Sequence, residues 1–422
     1  MRDKRRQVLT HSSPSTRVSV FIYASMDGTG GIQSIVFRQL ALAQRLQQVA
    51  FVVCKATTCL SDVPSDVRLD IDQDPKSLLE QIGSRLPGKQ LHLDLIALSP
   101  EAAPVGFLLQ TEALKERYVQ TALLCLTILH PRDLMRETER WHVHLMNRIV
   151  ANAIGLQNLV FMNKECRDTH SIFLARNLSS NGIVPVPIDE RQPCWAGPSD
   201  SGTLRIVCIG RLVNFKAYNF ALPSIIAKFA EERQSITCDI FGDGRDESKL
   251  SDLVKQYGVS DLLRLNGPIP LNKFDDLVSG YDLFIGMGTA ALQAAQLGVP
   301  TILAIVDEEH GAHGFIDSAP FGNLGEKDPS NPRQDLKNLI ETYLKAEPEE
   351  RMKLSLDGIR CANHYVSKNY VEQLTQYSAP REGLSRHLAV LYCRFYLWMA
   401  HDNWLRKVVR LLTGRHASVR IL

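Results

Sequence analysis

The chain of 422 residues predicts an α/β protein in which two open parallel sheets face a central cleft, followed by an amphipathic helical tail. Three observations carry this expectation. Short β-branched apolar runs alternate with segments whose apolar residues recur at helical spacing. The alternation halts at a stretch rich in Pro, Gly and Ser and then begins again. The length also exceeds what one domain ordinarily holds.

Composition bounds the function. Apolar residues make up 45% and charged residues 22%, as expected for a protein with a full core. A formal net charge of +2 lacks the basic excess of a general nucleic-acid binder, so no nucleic-acid partner is expected. The nine cysteines are scattered and never spaced C-x-x-C. Cys125, Cys208 and Cys238 fall in strand-like runs, which fits a reduced compartment with cysteine as a small hydrophobe. No apolar run is long enough to span a bilayer, and no signal-peptide pattern follows the basic residues Arg2, Lys4, Arg5 and Arg6. A cytoplasmic location is expected.

Residues 1–16 are polar and basic and are expected to be disordered. Val18–Ala24 reads as the first strand, Asp27-Gly28-Thr29-Gly30-Gly31 as a glycine-rich turn, Ile32–Leu46 as a helix and Phe51–Val53 as the next strand. Together they form a βαβ unit. The glycines suit a tight turn or close approach to a phosphate, and the sequence leaves both open. A nicotinamide fingerprint is not supported, because G-x-G-x-x-G is absent. A helix is expected over Pro75–Arg85, preceded by the loop acids Asp70, Asp72 and Asp74, for which a metal role is not expected. Leu91–Leu98 and Thr121–Leu129 read as buried strands. The second ends at His130, where a side chain at the carboxyl end of a parallel sheet points to the ligand crevice. His142 and His144 lie about 200° apart on a helix, which argues against a metal pair. Leu159–Met162 and Gly182–Ile188 close the first half, and Arg191–Gly202 reads as a linker.

The second half repeats the pattern: strand Ile206–Ile209, helix Ala221–Glu232 with Pro223 in its first turn, strand Ile236–Phe241, a helix ended by Gly258, and strand Leu262–Leu265. A short helix over Phe274–Val278, strand Asp282–Ile285, helix Thr289–Leu297 and strand Val299–Ile305 complete a second parallel sheet. The expected domains are 1–16, 17–190, the linker 191–203, 204–380, and a tail over 381–422.

Gly210, Arg211 and Lys216 follow the strand Ile206–Ile209 directly. Two cations at a strand end before a helix make a place for a diphosphate. With Ile209-Gly210-Arg211-Leu212-Val213-x-x-Lys216, Phe241-Gly242-Asp243-Gly244 and Leu292-Gln293-Ala294-Ala295-x-x-Gly298-Val299-Pro300 in view, the chain resembles the GT-B glycosyltransferases. It looks like their large retaining family, which builds bacterial lipopolysaccharides and capsules. Gly30-Gly31 and Ile128-Leu129-His130 are comparable in the first half.

The resemblance implies two Rossmann-like domains, a nucleotide-sugar donor, and a glycan or lipid-linked acceptor. By the same resemblance Arg211 and Lys216 grip the diphosphate, and His130 lies beside the transferred sugar. Gly30, Gly31, Gly210, Gly242, Gly288, Thr289 and Gln293 line the donor, the N–H groups of Gly288 and Thr289 meeting its phosphate. No cofactor and no metal are expected, since two cations can neutralise the leaving group. The family's E-x7-E glutamates are absent: Gln293 stands at the second and Ile285 falls at the first. Asp307, Glu308 or Glu309 could substitute for the missing acid. His310 and His313 lie beside them, but Gly311 and Gly314 predict a loop without fixed ligand geometry.

In the tail, Leu388–Met399 is expected to pack on the first domain, and the basic stretch Trp404–Arg415 suits either packing or an anionic membrane surface. The expected activity is glycosyl transfer in surface-polysaccharide biosynthesis. The alternatives are a catalytically lapsed scaffold and a sugar-nucleotide 2-epimerase-like enzyme.

Overall fold

A computed structural model describes residues 15–24, 26, 31–55, 63–135, 141–198, 202–378 and 386–401. The N-terminal lobe runs β1 (Ser15–Ile22), α1 (Gly31–Arg45), β2 (Val49–Cys54), β3 (Arg68–Asp70), α2 (Pro75–Ser84), β4 (Gln90–Ala97), α3 (Ala103–Ala113), β5 (Val119–Ile128), α4 (Trp141–Ile154), β6 (Leu159–Phe161) and α5 (Lys164–Leu174). Its six strands lie in the order β3-β2-β1-β4-β5-β6, all parallel, a doubly wound sheet whose order reverses between β1 and β4. Both faces are covered: Val20, Leu95 and Leu124 are buried on one face and Phe21, Ile96 and Cys125 on the other. Local chemistry sets the helix starts. Asp74 caps α2 by accepting from the Lys76 N–H, with Pro75 in the first turn, and Asn163 caps α5 through the Cys166 N–H.

The C-terminal lobe runs β7 (Leu204–Ile209), α6 (Tyr218–Glu231), β8 (Ile236–Phe241), α7 (Glu247–Gln256), β9 (Leu263–Leu265), α8 (Phe274–Val278), β10 (Leu283–Gly286), α9 (Thr289–Gln296), β11 (Thr301–Ala304), β12 (Gly311–Phe315), β13 (Gln334–Asp335), α10 (Leu336–Lys345) and α11 (Pro348–Asn363). Its sheet has the order β13-β12-β11-β10-β7-β8-β9. It is mixed rather than wholly parallel, because β12 and β13 add antiparallel at one edge. Gly311 and Gly314 therefore sit in a strand, not in the expected loop. The register shifts between Leu303 and Ala304, which absorbs the glycine-rich segment as an irregularity at the sheet edge. His313 is buried there, its Nε2 2.7 Å from the Glu326 carbonyl.

Helix α6 begins three residues before the predicted start, so Pro223 is an interior residue rather than a first-turn one. The buried Tyr218, Asn219 and Phe220 extend the helix backwards against the missing proline hydrogen bond.

Two crossings join the lobes. Ile188 and Val366 form a parallel bridge, and the Ile188 N–H donates to the Tyr365 carbonyl. The segment Arg191–Pro198 is extended and held on the C-terminal lobe by N–H groups of Cys194 and Trp195 to the Leu297 carbonyl. Past α11, helices α12 (Tyr370–Thr375) and α13 (Arg386–His401) return to the N-terminal lobe. Arg17 Nη2 bonds Thr375 Oγ1 at 3.1 Å, while α13 packs on α3 and α4 with Ala389 and Cys393 buried. Trp404–Arg415 lies outside the described residues.

Candidate active site

The loop after β7 is built around close backbone approach. The Gly210 N–H donates to the Phe241 carbonyl, and the Leu212 N–H donates to the Asp243 carbonyl. Gly242 has φ +141, and a Cβ there would overlap the carbonyl oxygen of Gly210. A Cβ on Gly244 would overlap that of Leu212. The glycines of Phe241-Gly242-Asp243-Gly244 thus let the loops after β7 and β8 interlock. The Gly242 N–H is itself taken by the Gly267 carbonyl, so Gly242 shapes the site through packing rather than through a donated hydrogen bond.

That interlock presents two cations. The Lys216 Nζ lies against Gly210, where a Cβ would collide with it. Arg211 is exposed, its guanidinium carbon 5.6 Å from the ring centroid of Phe215. Neither forms an ion pair with a described residue, and the charge acting most strongly on Lys216 is Arg211 itself. Burial, reinforced by Arg211, lowers the Lys216 pKa to about 8. Two uncompensated cations side by side are an unfavourable arrangement that an anion would relieve.

From the other lobe, β5 delivers His130. Asp133 fixes the turn: its Oδ2 accepts from the Leu129 and His130 N–H groups at 2.8 and 2.9 Å. The Arg132 N–H donates to His130 Nδ1 at 3.0 Å, which leaves the proton of a neutral ring on Nε2. The His130 ring meets Phe215 edge-on, with centroids 6.4 Å apart and planes at 67°. His130, Phe215, Arg211 and Lys216 therefore gather at the carboxyl ends of β5 and β7, across the interlobe gap. Asp133 and Phe215 carry no motif signature, and their roles emerge only from the fold.

The opposite flank is α9. Its N-cap Gly288 has φ +74 and open space where a Cβ would be. The Gly288 N–H is occupied by the Leu324 carbonyl at 2.7 Å, so it is not available to a phosphate as expected, and the backbone donors of that turn start at Thr289. Strand β10 ends at Gly286, so only Met287 and Gly288 separate it from α9. Ile285, at the position of the first glutamate, is fully buried in β10 and not in this short loop.

Gln293 is buried and lines a cavity of about 430 Å³ between α1, the crossing at Pro187–Arg191 and α9. Arg38 projects into this cavity, held by the Pro187 carbonyl and Asp189. Burial lowers its pKa, and Asp189 counters the shift in part. Gly31 opens α1 and is exposed, while Gly30 lies outside the described residues. Of the acids past β11, Asp307 pairs with Arg132 and Glu308 with Arg333, so neither is unengaged. Asp70, Asp72 and Asp74 form a turn and a helix cap, with the Asp72 N–H on Asp70 Oδ1. Among the described residues no three His, Cys, Asp or Glu side chains are placed to hold a metal ion.

No family model matches the sequence. The chain is 27% identical over 125 residues to the UDP-N-acetylglucosamine--peptide N-acetylglucosaminyltransferase GtfA subunit of Streptococcus gordonii, covering 28% of this chain and 24% of that protein. It thus spans about a quarter of that relative's length. Among solved structures, the apo lipopolysaccharide outer core galactosyltransferase WaaB superposes with a TM-score of 0.55 at 10% identity, over 86% of this chain and 98% of that one. The pneumococcal O-GlcNAc transferase GtfA in complex with UDP and GlcNAc gives 0.52 at 12% identity, over 92% of this chain and 100% of that one. At such identities the likeness is one of architecture, and the two lobes, their sheets and the returning C-terminal helices have the GT-B fold.

Proposed function

We propose that the chain is a glycosyltransferase that moves a sugar from a nucleotide-sugar donor, with retention of configuration, to a glycan or lipid-linked acceptor of a surface polysaccharide such as lipopolysaccharide or capsule. One observation carries this reading: Arg211 and Lys216 stand without an ion-pair partner among the described residues, at the end of β7 and facing His130 of the other lobe. When the bond between the sugar and the diphosphate breaks, negative charge grows on the leaving phosphate. A guanidinium and an ammonium held there in advance stabilise that charge without a metal. The His130 Nε2–H is a donor suited to a sugar hydroxyl, and Gln293 offers a carbonyl to the ribose. Uridine diphosphate is the first nucleotide to test, since the GtfA relative and the GtfA structure both involve UDP.

The lipid-linked form of the acceptor is favoured by α13, where Leu388, Leu391 and Phe395 are exposed beside Arg386 and Arg394. An apolar stripe with flanking cations suits an anionic membrane surface, which would place the enzyme peripherally on the cytoplasmic face. No described helix is long and apolar enough to cross a membrane. A peptide acceptor is the second reading, favoured by the sequence match to the GtfA subunit.

The test is release of UDP from a panel of UDP-sugars, with lipid-linked oligosaccharide or a serine-rich peptide as acceptor, with and without EDTA. The reading expects acceptor-dependent UDP release that survives EDTA. Absence of both turnover and nucleotide binding would leave the lapsed scaffold.

A further inference from the structure

Phe215 lies between the two cations in sequence and belongs to neither motif position. The face of its ring carries Arg211, with 5.6 Å from guanidinium carbon to centroid, and its edge region meets His130 of the opposite lobe at 6.4 Å. Its carbonyl accepts the N–H of Asp307 at 2.9 Å. Asp307 has φ +57, a conformation that a non-glycine residue holds only when its surroundings fix it. Two contacts fix it: its N–H is on the Phe215 carbonyl, and its carboxylate accepts from Arg132 Nη2 at 2.6 Å, across the gap and two residues past His130. The contacts therefore close a ring, from His130 through Arg132 and Asp307 to Phe215 and back, that crosses between the lobes twice.

We infer that Phe215 is a positioning residue that couples the phosphate-binding Arg211 to the opposite lobe, with the Arg132–Asp307 pair holding that coupling in register. The inference rests on the donor-binding reading above. The physical basis is the aromatic quadrupole, whose negative face attracts the guanidinium and whose edge accommodates a second ring. Arg211 is exposed, and a long side chain without such a platform loses its preferred orientation. Lobe closure that brings His130 and Arg132 against Phe215 and Asp307 thereby sets where Arg211 points.

The experiment is a calorimetric titration of UDP into the full chain and into Phe215→Leu, Phe215→Tyr, Asp307→Asn and the Phe215→Leu/Asp307→Asn double variant, with melting temperatures recorded in parallel. Loss of the ring face should weaken UDP binding about two- to fivefold. Phe215→Tyr should retain the parent affinity, because its ring face is the same. The double variant should lose less than the product of the two single effects, because both act through one ring of contacts. Parent-like affinity in Phe215→Leu overturns the inference and leaves the donor reading standing, and so does a strictly multiplicative double variant. A parent chain that binds none of a panel of nucleotides removes both.

Discussion

Raising the pH should weaken donor binding through Lys216 alone. Burial and Arg211 bring its pKa down to about 8 in the free protein. At pH 7 about nine-tenths of Lys216 is then ammonium, and at pH 9 only about one-tenth. A bound diphosphate lies against the ammonium and raises that pKa towards or beyond its ordinary value. The sign follows: binding takes up a proton around pH 8, and affinity is greatest below pH 8 and falls as pH rises through it. Between pH 7 and pH 9 the loss is about tenfold, or ~1.4 kcal/mol, provided the bound ammonium stays protonated at pH 9. The terminal phosphate, with a second pKa of about 6, goes only from about nine-tenths to fully ionised over this range and adds little of its own. Titration calorimetry in buffers of different ionisation enthalpy reads both the affinity and the proton uptake. Lys216→Met should bind more weakly at pH 7 and show no such pH dependence. Equal parent affinity at pH 7 and pH 9, or proton release on binding, would refute the assignment of Lys216 to the phosphate.

Three further outcomes are expected. Gly242→Ala forces a Cβ onto the Gly210 carbonyl at a left-handed φ, and should cost at least about 1–3 kcal/mol in a denaturant titration while disturbing nucleotide binding. A variant as stable as the parent would show that the two loops are not interlocked. Gln293→Glu replaces a neutral acceptor by a charged one, and should tighten binding of UDP but not of its 2′,3′-dideoxy analogue, by roughly three- to tenfold. No difference between the two ligands would take Gln293 off the ribose. Glu326 is buried, and desolvation raises its pKa from 4.5 to about 7. Folded protein therefore holds that proton where unfolded chain has lost it, so this group lowers stability progressively from pH 4.5 to 7. Glu326→Gln should stabilise by up to about 3 kcal/mol at pH 8 and by less than about 1 kcal/mol at pH 5, as measured by melting at both values. A gain that does not depend on pH would contradict it.

The clustering of the candidate diphosphate residues is legible in the sequence because they are neighbours in it. Gly210, Arg211 and Lys216 lie within seven residues of one another, and a strand end fixes where they emerge. His130 is likewise read from the run of neighbours that ends β5. What stayed hidden depends on distance. Arg132 and Asp307 are 175 residues apart, and nothing in either neighbourhood announces the pair. Leu324 takes the Gly288 N–H from a segment with no strand or helix signal of its own. Helix α3 escaped because Ala103, Val105, Phe107, Leu108 and Leu109 are buried around its whole circumference, so no amphipathic stripe marks it. Strand β12 escaped for the opposite reason. Its glycines suit an irregular sheet edge but read as loop until a partner strand is known. The first glutamate could be seen to be missing from sequence. The structure adds that Ile285, which stands at its position, is buried in β10 rather than placed in the connection to α9.

The most direct test of the whole account is a crystal structure of the full chain with UDP bound. The diphosphate should lie within hydrogen-bond distance of both Arg211 and Lys216, with His130 facing it from the other lobe and the ribose against Gln293. A nucleotide bound elsewhere with these two side chains untouched would contradict it.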